Sequence, residues 1–130
     1  MDQYHEVLEG KVWRGTGAKK VKYRDKKLAH VGGYPAKTKL DEKEVREKKR
    51  GRGGNIRVVL KRAAYVNVNM GGKTVKLKIK RVIESNNPDF TRQNIITKGT
   101  ILETEKGKVK VTSRPSQHGV VNGVLIGESA

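Results

Sequence analysis

The sequence predicts an all-β fold, a barrel or a sandwich, with a basic N-terminal extension. A glycine turn joins two strand-like runs between residues 56 and 85. Further strand-sized runs follow, with turns about 8 to 12 residues apart, as in all-β proteins. Residues 11–39, in contrast, are strongly basic and contain few apolar side chains.

The stretch 56–85 is predicted to be a β-hairpin and the centre of the molecule. Residues 56–69 form its outgoing arm, Met70-Gly71-Gly72 its turn and residues 73–85 its return arm. Apolar and basic side chains alternate on the return arm: Val75, Leu77 and Ile79 against Lys76, Lys78 and Lys80. This period of two is typical of a strand with one buried face. Residues 56–81 hold eight Lys/Arg and no Asp/Glu, which predicts a row of cations on the exposed face.

Composition points to a polyanionic partner. The 130 residues suffice for one compact domain, and 34% apolar content allows only a small core. Thirty Lys/Arg against 13 Asp/Glu give a net charge of +17, which favours binding to nucleic acid first and to an anionic membrane second. No run is long and apolar enough to span a membrane, no signal peptide is evident, and there are no cysteines. We therefore expect a cytoplasmic protein without disulfides.

Residues 1–40 are predicted to be a basic arm and residues 41–130 a β-barrel domain. Residues 11–39 hold ten Lys/Arg and one Asp, and too little apolar surface to fold alone. A disordered tail or an arm that orders on phosphates would both fit. The aromatic residues Trp13, Tyr23 and Tyr34 favour the arm, because they could stack on bases or pack under the domain. Residues 1–10 are uninformative.

The sequence predicts turns at two glycine-rich segments and leaves the secondary structure of residues 41–50 open. Residues 41–50 combine helix propensity with one apolar residue, Val45, and are predicted to be either a short helix or an edge strand. Gly51-Arg52-Gly53-Gly54-Asn55 indicates a tight turn in which Arg52 can reach a phosphate. It lacks the residues of a P-loop, and Gly15-Thr16-Gly17 is best interpreted as a simple turn.

The C-terminal third is nearly neutral. Residues 86–89 predict a turn, residues 94–97 are a short apolar run, and residues 113–116 are a loop. Three further strands are predicted at residues 101–104, 108–111 and 120–126. Six Lys/Arg balance five Asp/Glu from residue 82 to residue 130, so the cationic surface lies on the arm and the hairpin, on one binding side.

No catalytic or metal-binding constellation is evident. His5, His30 and His118 are far apart in the chain and lack the partners of a metal site. Glu103 and Glu105 could form an acid pair, but surface charge balancing is the favoured interpretation. We expect no enzyme activity and no cofactor; the rival hypothesis is an enzyme with a cryptic site.

Five segments of the sequence form a recognisable set of motifs: Thr16-Gly17-Ala18, Val-Gly-Gly-Tyr-Pro-Ala-Lys-Thr-Lys-Leu at 31–40, Arg-Gly-Arg-Gly-Gly-Asn at 50–55, Arg-Gln-Asn-Ile-Ile-Thr-Lys-Gly at 92–99, and residues 111–120. In this order they resemble one ribosomal family, small-subunit ribosomal protein eight of the e type, which occurs in archaea and eukaryotes. The resemblance covers about residues 11–126, and the short chain resembles archaeal members. It implies a small antiparallel β-barrel with a basic N-terminal extension. It also implies a structural role in the small subunit, with small-subunit rRNA and neighbouring ribosomal proteins as partners.

The charge pattern then predicts which side chains contact RNA. All are Lys or Arg of the arm, the first turn, the hairpin or the C-terminal loop: Lys11, Arg14, Lys19, Lys20, Lys22, Arg24, Lys26, Lys27, Lys37, Lys39, Arg50, Arg52, Arg57, Lys61, Arg62, Lys76, Lys78, Lys80 and Arg114. A free RNA- or DNA-binding module outside the ribosome is the alternative role. We expect no independent homo-oligomer, a domain of residues 56–126 that folds alone, and an arm of residues 11–39 ordered only by rRNA.

Overall fold

The computed structural model describes residues 12–19 and 34–128. The chain divides into two units, Met1–Pro35 and Ala36–Ala130. In the first unit, Val12 and Lys19 form an antiparallel bridge around a tight turn. The N–H of Trp13 donates to the carbonyl of Ala18 at 2.9 Å, and Gly15 and Gly17 take φ of +97° and +69°. The simple turn predicted for Gly15-Thr16-Gly17 is therefore confirmed.

The second unit is built mainly of strands, which confirms the all-β prediction. Its elements in chain order are β1 (Lys39–Leu40), β2 (Val45–Arg50), a 3-10 turn (Arg52–Gly54), β3 (Ile56–Ala63), β4 (Tyr65–Met70), β5 (Lys73–Glu84), α1 (Pro88–Arg92), β6 (Ile101–Thr104), β7 (Gly107–Val111), α2 (Pro115–His118) and β8 (Asn122–Glu128). Both helices are single turns that begin at proline, where a missing N–H costs nothing. The sequence predicted a turn and a loop at these positions.

Strands β4 to β8 form a closed five-stranded barrel, so the barrel alternative is confirmed over the sandwich. Neighbouring strands are antiparallel, except that β8 closes the barrel by pairing parallel to β4 at two positions. The long strand β5 has register shifts after Ile79 and after Val82. Such bulges bend a strand and raise its twist, which allows a small sheet to close.

The outgoing arm of the predicted hairpin is two strands, not one. Only β4 pairs with β5, whereas β3 is the middle strand of a separate three-stranded sheet in the order β1-β3-β2. The chain leaves one sheet for the other at Ala64. Ala63 and Ala64 are consecutive and both buried, at 0% and 1% exposure, which breaks the alternation of a single strand. The hairpin prediction was therefore right for residues 65–78 and wrong for residues 56–63.

Residues 45–50 are an edge strand, which decides between the two alternatives for residues 41–50. Strand β2 pairs antiparallel with β3 and has no strand partner on its other side among residues 12–19 and 34–128. None of its six residues is buried. A strand of this kind is held by its backbone hydrogen bonds to β3, and its charged side chains discourage further edge pairing.

The core lies inside the barrel and continues under the three-stranded sheet. Its buried members are apolar residues from seven segments: Leu60, Ala63, Val66, Val68, Leu77, Ile79, Val82, Ile96, Leu102, Val109, Val111 and Val121. Leu77 and Ile79 are 3% and 4% exposed, while the lysines that alternate with them are exposed. The predicted period of two on β5 is thus confirmed.

The end of the predicted arm belongs to the folded unit. Strand β1 pairs parallel with β3, and Leu40 packs against the core. Thr38 is 1% exposed; its hydroxyl donates to the carbonyl of Leu60 at 2.6 Å. Residues 36–40 are therefore part of the second unit, whereas they were predicted to lie in the arm; that residues 11–39 need rRNA for their order stays a prediction. The division between units falls after Pro35 for this reason.

Candidate nucleic-acid interface

A cleft of about 810 Å³ lies at the turn between β2 and β3. Its lining residues come from both strands, the turn and α2: Lys49, Arg50, Gly51, Arg52, Asn55, Ile56, Arg57, Val59 and Ser116. Four of these are cations, and none of the described lining residues is acidic. We call this surface the cationic cleft.

The turn that holds the cleft is closed by its own backbone. The N–H of Gly51 donates to the carbonyl of Asn55 at 2.6 Å, and the N–H of Asn55 donates to the carbonyl of Arg52. Gly53 and Gly54 take φ of +68° and +78°, which glycine adopts without strain. Nothing lies within 4 Å of where their Cβ atoms would be, so a large ligand can approach the backbone closely. The predicted tight turn at residues 51–55 is confirmed.

Like charges face each other across the cationic cleft. Lys49 of β2 lies directly opposite Arg57 of β3 in the antiparallel register. Like charges directly opposed across a strand pair repel each other. This end of the sheet therefore concentrates positive charge.

A second cationic surface lies on the outside of the barrel. Lys76, Lys78 and Lys80 are exposed at alternate positions of β5, and we call them the lysine row. Tyr65 of β4 lies opposite Lys78, and the Lys76 ammonium stands 4.5 Å from the centre of the Tyr65 ring. Alternate residues of a strand are about 6.6 Å apart, comparable to consecutive phosphates along one nucleic-acid strand.

Three of the predicted RNA contacts also have carboxylate neighbours. Lys61 pairs with Glu47 at 2.8 Å, Arg62 pairs with Asp41 at 2.5 Å, and Lys76 lies 3.9 Å from Glu44. Both Lys61 and Arg62 lie at the end of β3 remote from the cationic cleft. The charges of Lys61 and Arg62 are thus partly compensated within the protein. Arg50, Arg52 and Arg57, in contrast, make no ion pair within the described residues.

These pairs lower the pKa values of two carboxyl groups. The Glu42 backbone N–H, and then the Arg62 guanidinium, hold the pKa of Asp41 below its usual value. The hydrogen bond from Lys61, and then its charge, lower the pKa of Glu47. Hydrogen bonds to an ionised carboxylate favour that form, so both acids stay charged to a lower pH than free side chains.

The remaining predicted contacts are scattered. Arg14 and Lys19 are exposed on the turn of the first unit, where Trp13 is 58% exposed. In the second unit Lys37, Lys39 and Arg114 are exposed. Six predicted residues lie outside the part of the chain that the structure describes, as does Tyr23: Lys11, Lys20, Lys22, Arg24, Lys26 and Lys27.

Sequence reasoning predicted three of the nine residues that line the cationic cleft as contacts and missed the other six, among them four with side chains that bear on binding. Lys49 lies in the segment whose structure stayed open, and its position opposite Arg57 follows only from the strand register. Asn55 was part of the predicted turn but was assigned no contact. Ile56, 66% exposed, and Ser116 of α2 enter the cleft through tertiary folding. The only signal in the sequence is the spacing of Glu47 and Lys49, which would place both side chains on the same face of a strand.

Neither a metal centre nor an acid pair forms in residues 12–19 and 34–128. These residues contain no group of three His, Cys, Asp or Glu side chains that could hold a metal ion. Glu103 forms an ion pair with Arg81 across β5 and β6, as the charge-balancing interpretation predicted. Within the same residues, no helix is long and apolar enough to cross a membrane.

Comparison with known proteins assigns the chain to a family. The ribosomal protein S8e family matches residues 10–126. "Small ribosomal subunit protein eS8" of Staphylothermus marinus is 48% identical over 114 residues, which are 85% of this chain and 89% of the relative. The proteins of the same name from Nanoarchaeum equitans and Methanobrevibacter smithii are 50% and 45% identical, over 85% and 92% of this chain and 89% and 98% of their own. The match spans nearly the whole length on both sides, and the chain belongs to the ribosomal protein S8e family, with archaeal relatives.

Proposed function

We propose that the protein is a structural component of the small ribosomal subunit in the cytoplasm and binds small-subunit rRNA. The relatives' names and the net charge of +17 support this role. The observation that carries it is the cationic cleft, with four cations and no acid among its described lining residues. Its other partners are neighbouring ribosomal proteins.

The mechanism of binding is electrostatic and involves no chemical step. Arg50, Arg52 and Arg57 of the cationic cleft and Lys78 and Lys80 of the lysine row contact phosphates and displace the counterions condensed on the RNA. Phosphate contacts fix the position of the protein and carry no sequence information. Basic side chains before residue 40 add further contacts. Lys61 and Arg62 contribute less, because carboxylates already compensate their charge.

Salt dependence of rRNA binding tests the proposal. With about six phosphate contacts, the logarithm of the association constant should fall against the logarithm of salt with a slope of about −4 to −5. Arg52→Ala with Arg57→Ala should make that slope shallower by about 2. The control is Lys106→Ala in the β6–β7 turn, outside both cationic surfaces, which should leave the slope almost unchanged. Binding that does not change with salt would contradict phosphate recognition.

Fractionation of a cell extract tests the assembly half of the proposal. The tagged full chain should sediment with small ribosomal subunits and stay there at moderate salt. A chain that remains entirely in the soluble fraction, or that associates only with itself, would show that the ribosomal role is wrong. The binding experiment above would then describe a free RNA-binding module.

A further inference from the structure

We propose that the cationic cleft binds double-stranded RNA and recognises its ribose 2′-hydroxyl groups through Asn55 and Ser116. This inference rests on the proposed function and assigns to one surface the form of RNA that it takes. The argument uses the number and origin of the cations, the absence of aromatic rings among the described lining residues, and the two neutral polar side chains.

The cations of the cleft come from three different elements, in contrast to the lysine row, which lies on one strand. Lys49 and Arg50 come from β2, Arg52 from the turn and Arg57 from β3. An extended single strand presents its phosphates in one row, and the lysine row would match such a strand. Cations grouped around a concave surface are better matched to the closely spaced phosphates along the backbones of a nucleic-acid duplex.

The chemistry of the walls also favours a duplex. Proteins that bind single strands stack successive bases on aromatic side chains. Among the described residues that line this cleft none is aromatic; the exposed apolar side chain there is Ile56. Small-molecule pockets of similar volume are lined mainly by apolar and aromatic groups; here Ile56 and Val59 supply apolar surface, but four of the nine described lining residues are cations and none is aromatic. A base-paired backbone needs cations and hydrogen bonds without stacking.

Asn55 and Ser116 supply the hydrogen bonds that distinguish RNA from DNA. Both line the cleft, and neither side chain makes a hydrogen bond within residues 12–19 and 34–128. A carboxamide and a hydroxyl can each donate to, or accept from, a 2′-hydroxyl. The A-form duplex displays these groups along its wide and shallow minor groove, where proteins contact RNA by shape. Ile56 would then lie against the sugars.

The test measures binding of the full chain to three probes of equal length: a perfectly paired RNA duplex, the DNA duplex of the same sequence, and single-stranded oligo-uridine. The double variant Arg52→Ala/Arg57→Ala should lose at least about tenfold in duplex RNA affinity and much less for oligo-uridine. The charge-matched variant Lys78→Ala/Lys80→Ala should lose as much for oligo-uridine as for the duplex, or more. Equal losses on both probes for the cleft variant would overturn the assignment of the cleft to duplex RNA.

The neutral variant Asn55→Ala/Ser116→Ala tests 2′-hydroxyl recognition. Asn55 closes the turn with backbone atoms and has φ of −65°, and Ser116 lies in a helix, so alanine fits both backbones. The preference for RNA over DNA duplex should fall about three- to tenfold per lost hydrogen bond, with an unchanged salt slope. An unchanged preference would overturn this part. If wild-type binding to rRNA remains steeply salt-dependent in either case, the proposed function stands and only the cleft assignment fails.

Discussion

The barrel and the three-stranded sheet solve the problem of exposed strand edges differently. In the barrel, β8 pairs with β4, and alternation along each strand provides a buried core. In the sheet, β2 has an edge that no other described strand pairs with, and none of its residues is buried. Because β2 contributes no side chain to the core, five of its six positions are charged. The charge that makes a binding surface thus lies where the fold needs no apolar residues.

This comparison separates positions that stabilise the fold from positions proposed to contact RNA. Substitutions at tightly packed positions of β8 should destabilise the protein strongly, whereas substitutions at the β2–β3 turn should change binding with a smaller loss of stability. Two contacts of β3 test where that division lies: Thr38 donates a hydrogen bond to Leu60, and Gly119, at the end of α2, lies close to Val58.

The largest effect is expected at Gly123 in β8. A Cβ on Gly123 would lie 2.4 Å from Val109 Cγ1 and 2.9 Å from the Lys110 carbonyl oxygen. A backbone atom cannot move aside as a flexible side chain can, so Gly123→Ala should destabilise the protein by about 3 kcal/mol or more. Urea unfolding followed by circular dichroism measures this loss.

Gly127→Ala is the matched control in the same strand. Nothing lies within 4 Å of its Cβ position, so its unfolding free energy should change by less than about 0.5 kcal/mol. Similar losses for both variants would mean that β8 is not packed against β7 in the way described, and that the barrel is less dense than the comparison assumes.

Strands with strict alternation were predictable, but their partners were not. The pattern around Leu77 and Ile79 fixes which face of β5 is buried, because a strand has period two. The parallel pairs of β1 with β3 and β8 with β4 join residues far apart in sequence, and β1 has only two residues. The break at Ala64 was missed because residues 56–69 contain no glycine or proline that would mark it.

The sequence allowed the positive charge of the site to be predicted, but not the shape of the cleft. The excess of Lys and Arg identified Arg50, Arg52 and Arg57, because charge needs no knowledge of the fold. The position of Lys49 opposite Arg57 depends on register, and Ser116 reaches the cleft through the packing of α2 on β3. The carboxylates that compensate Lys61 and Arg62 are likewise a consequence of folding.

Two N-terminal deletions locate the start of the folded unit. Removal of residues 1–35 should leave the thermal transition almost unchanged. Removal of residues 1–40 also deletes β1, the hydrogen bond of Thr38 to Leu60 and the packing of Leu40, which should cost about 2 kcal/mol, or roughly 8–16 °C. Scanning calorimetry compares them. Equal transitions would place residues 36–40 in the arm.

Gly119 tests how α2 is joined to the sheet. It has φ of +75°, and a Cβ there would lie 3.1 Å from the Val58 carbonyl oxygen of β3. Gly53 has a similar φ of +68° with nothing within 4 Å, so Gly53→Ala measures backbone strain alone. We expect about 1 kcal/mol for Gly53→Ala and about 0.5–1 kcal/mol more for Gly119→Ala, by urea unfolding. Equal costs would show that α2 can shift away from β3.

The smallest expected effect is a loss of stability at acidic pH, and it should arise from the three-stranded sheet alone. The pKa values of Asp41 and Glu47 are lowered in the folded protein by hydrogen bonds that include those from Arg62 and Lys61. A carboxyl with a lowered folded pKa stabilises the protein above its unfolded pKa, near 4, and loses that contribution as pH falls through the folded pKa. Stability should therefore stay level to about pH 5 and decline below it. Asp41→Asn/Glu47→Gln should flatten that decline slightly in urea unfolding across pH, and Glu105→Gln in the β6–β7 turn controls for net charge. An acid decline as steep in the double variant as in the wild type would show that these pairs do not help to hold the sheet together.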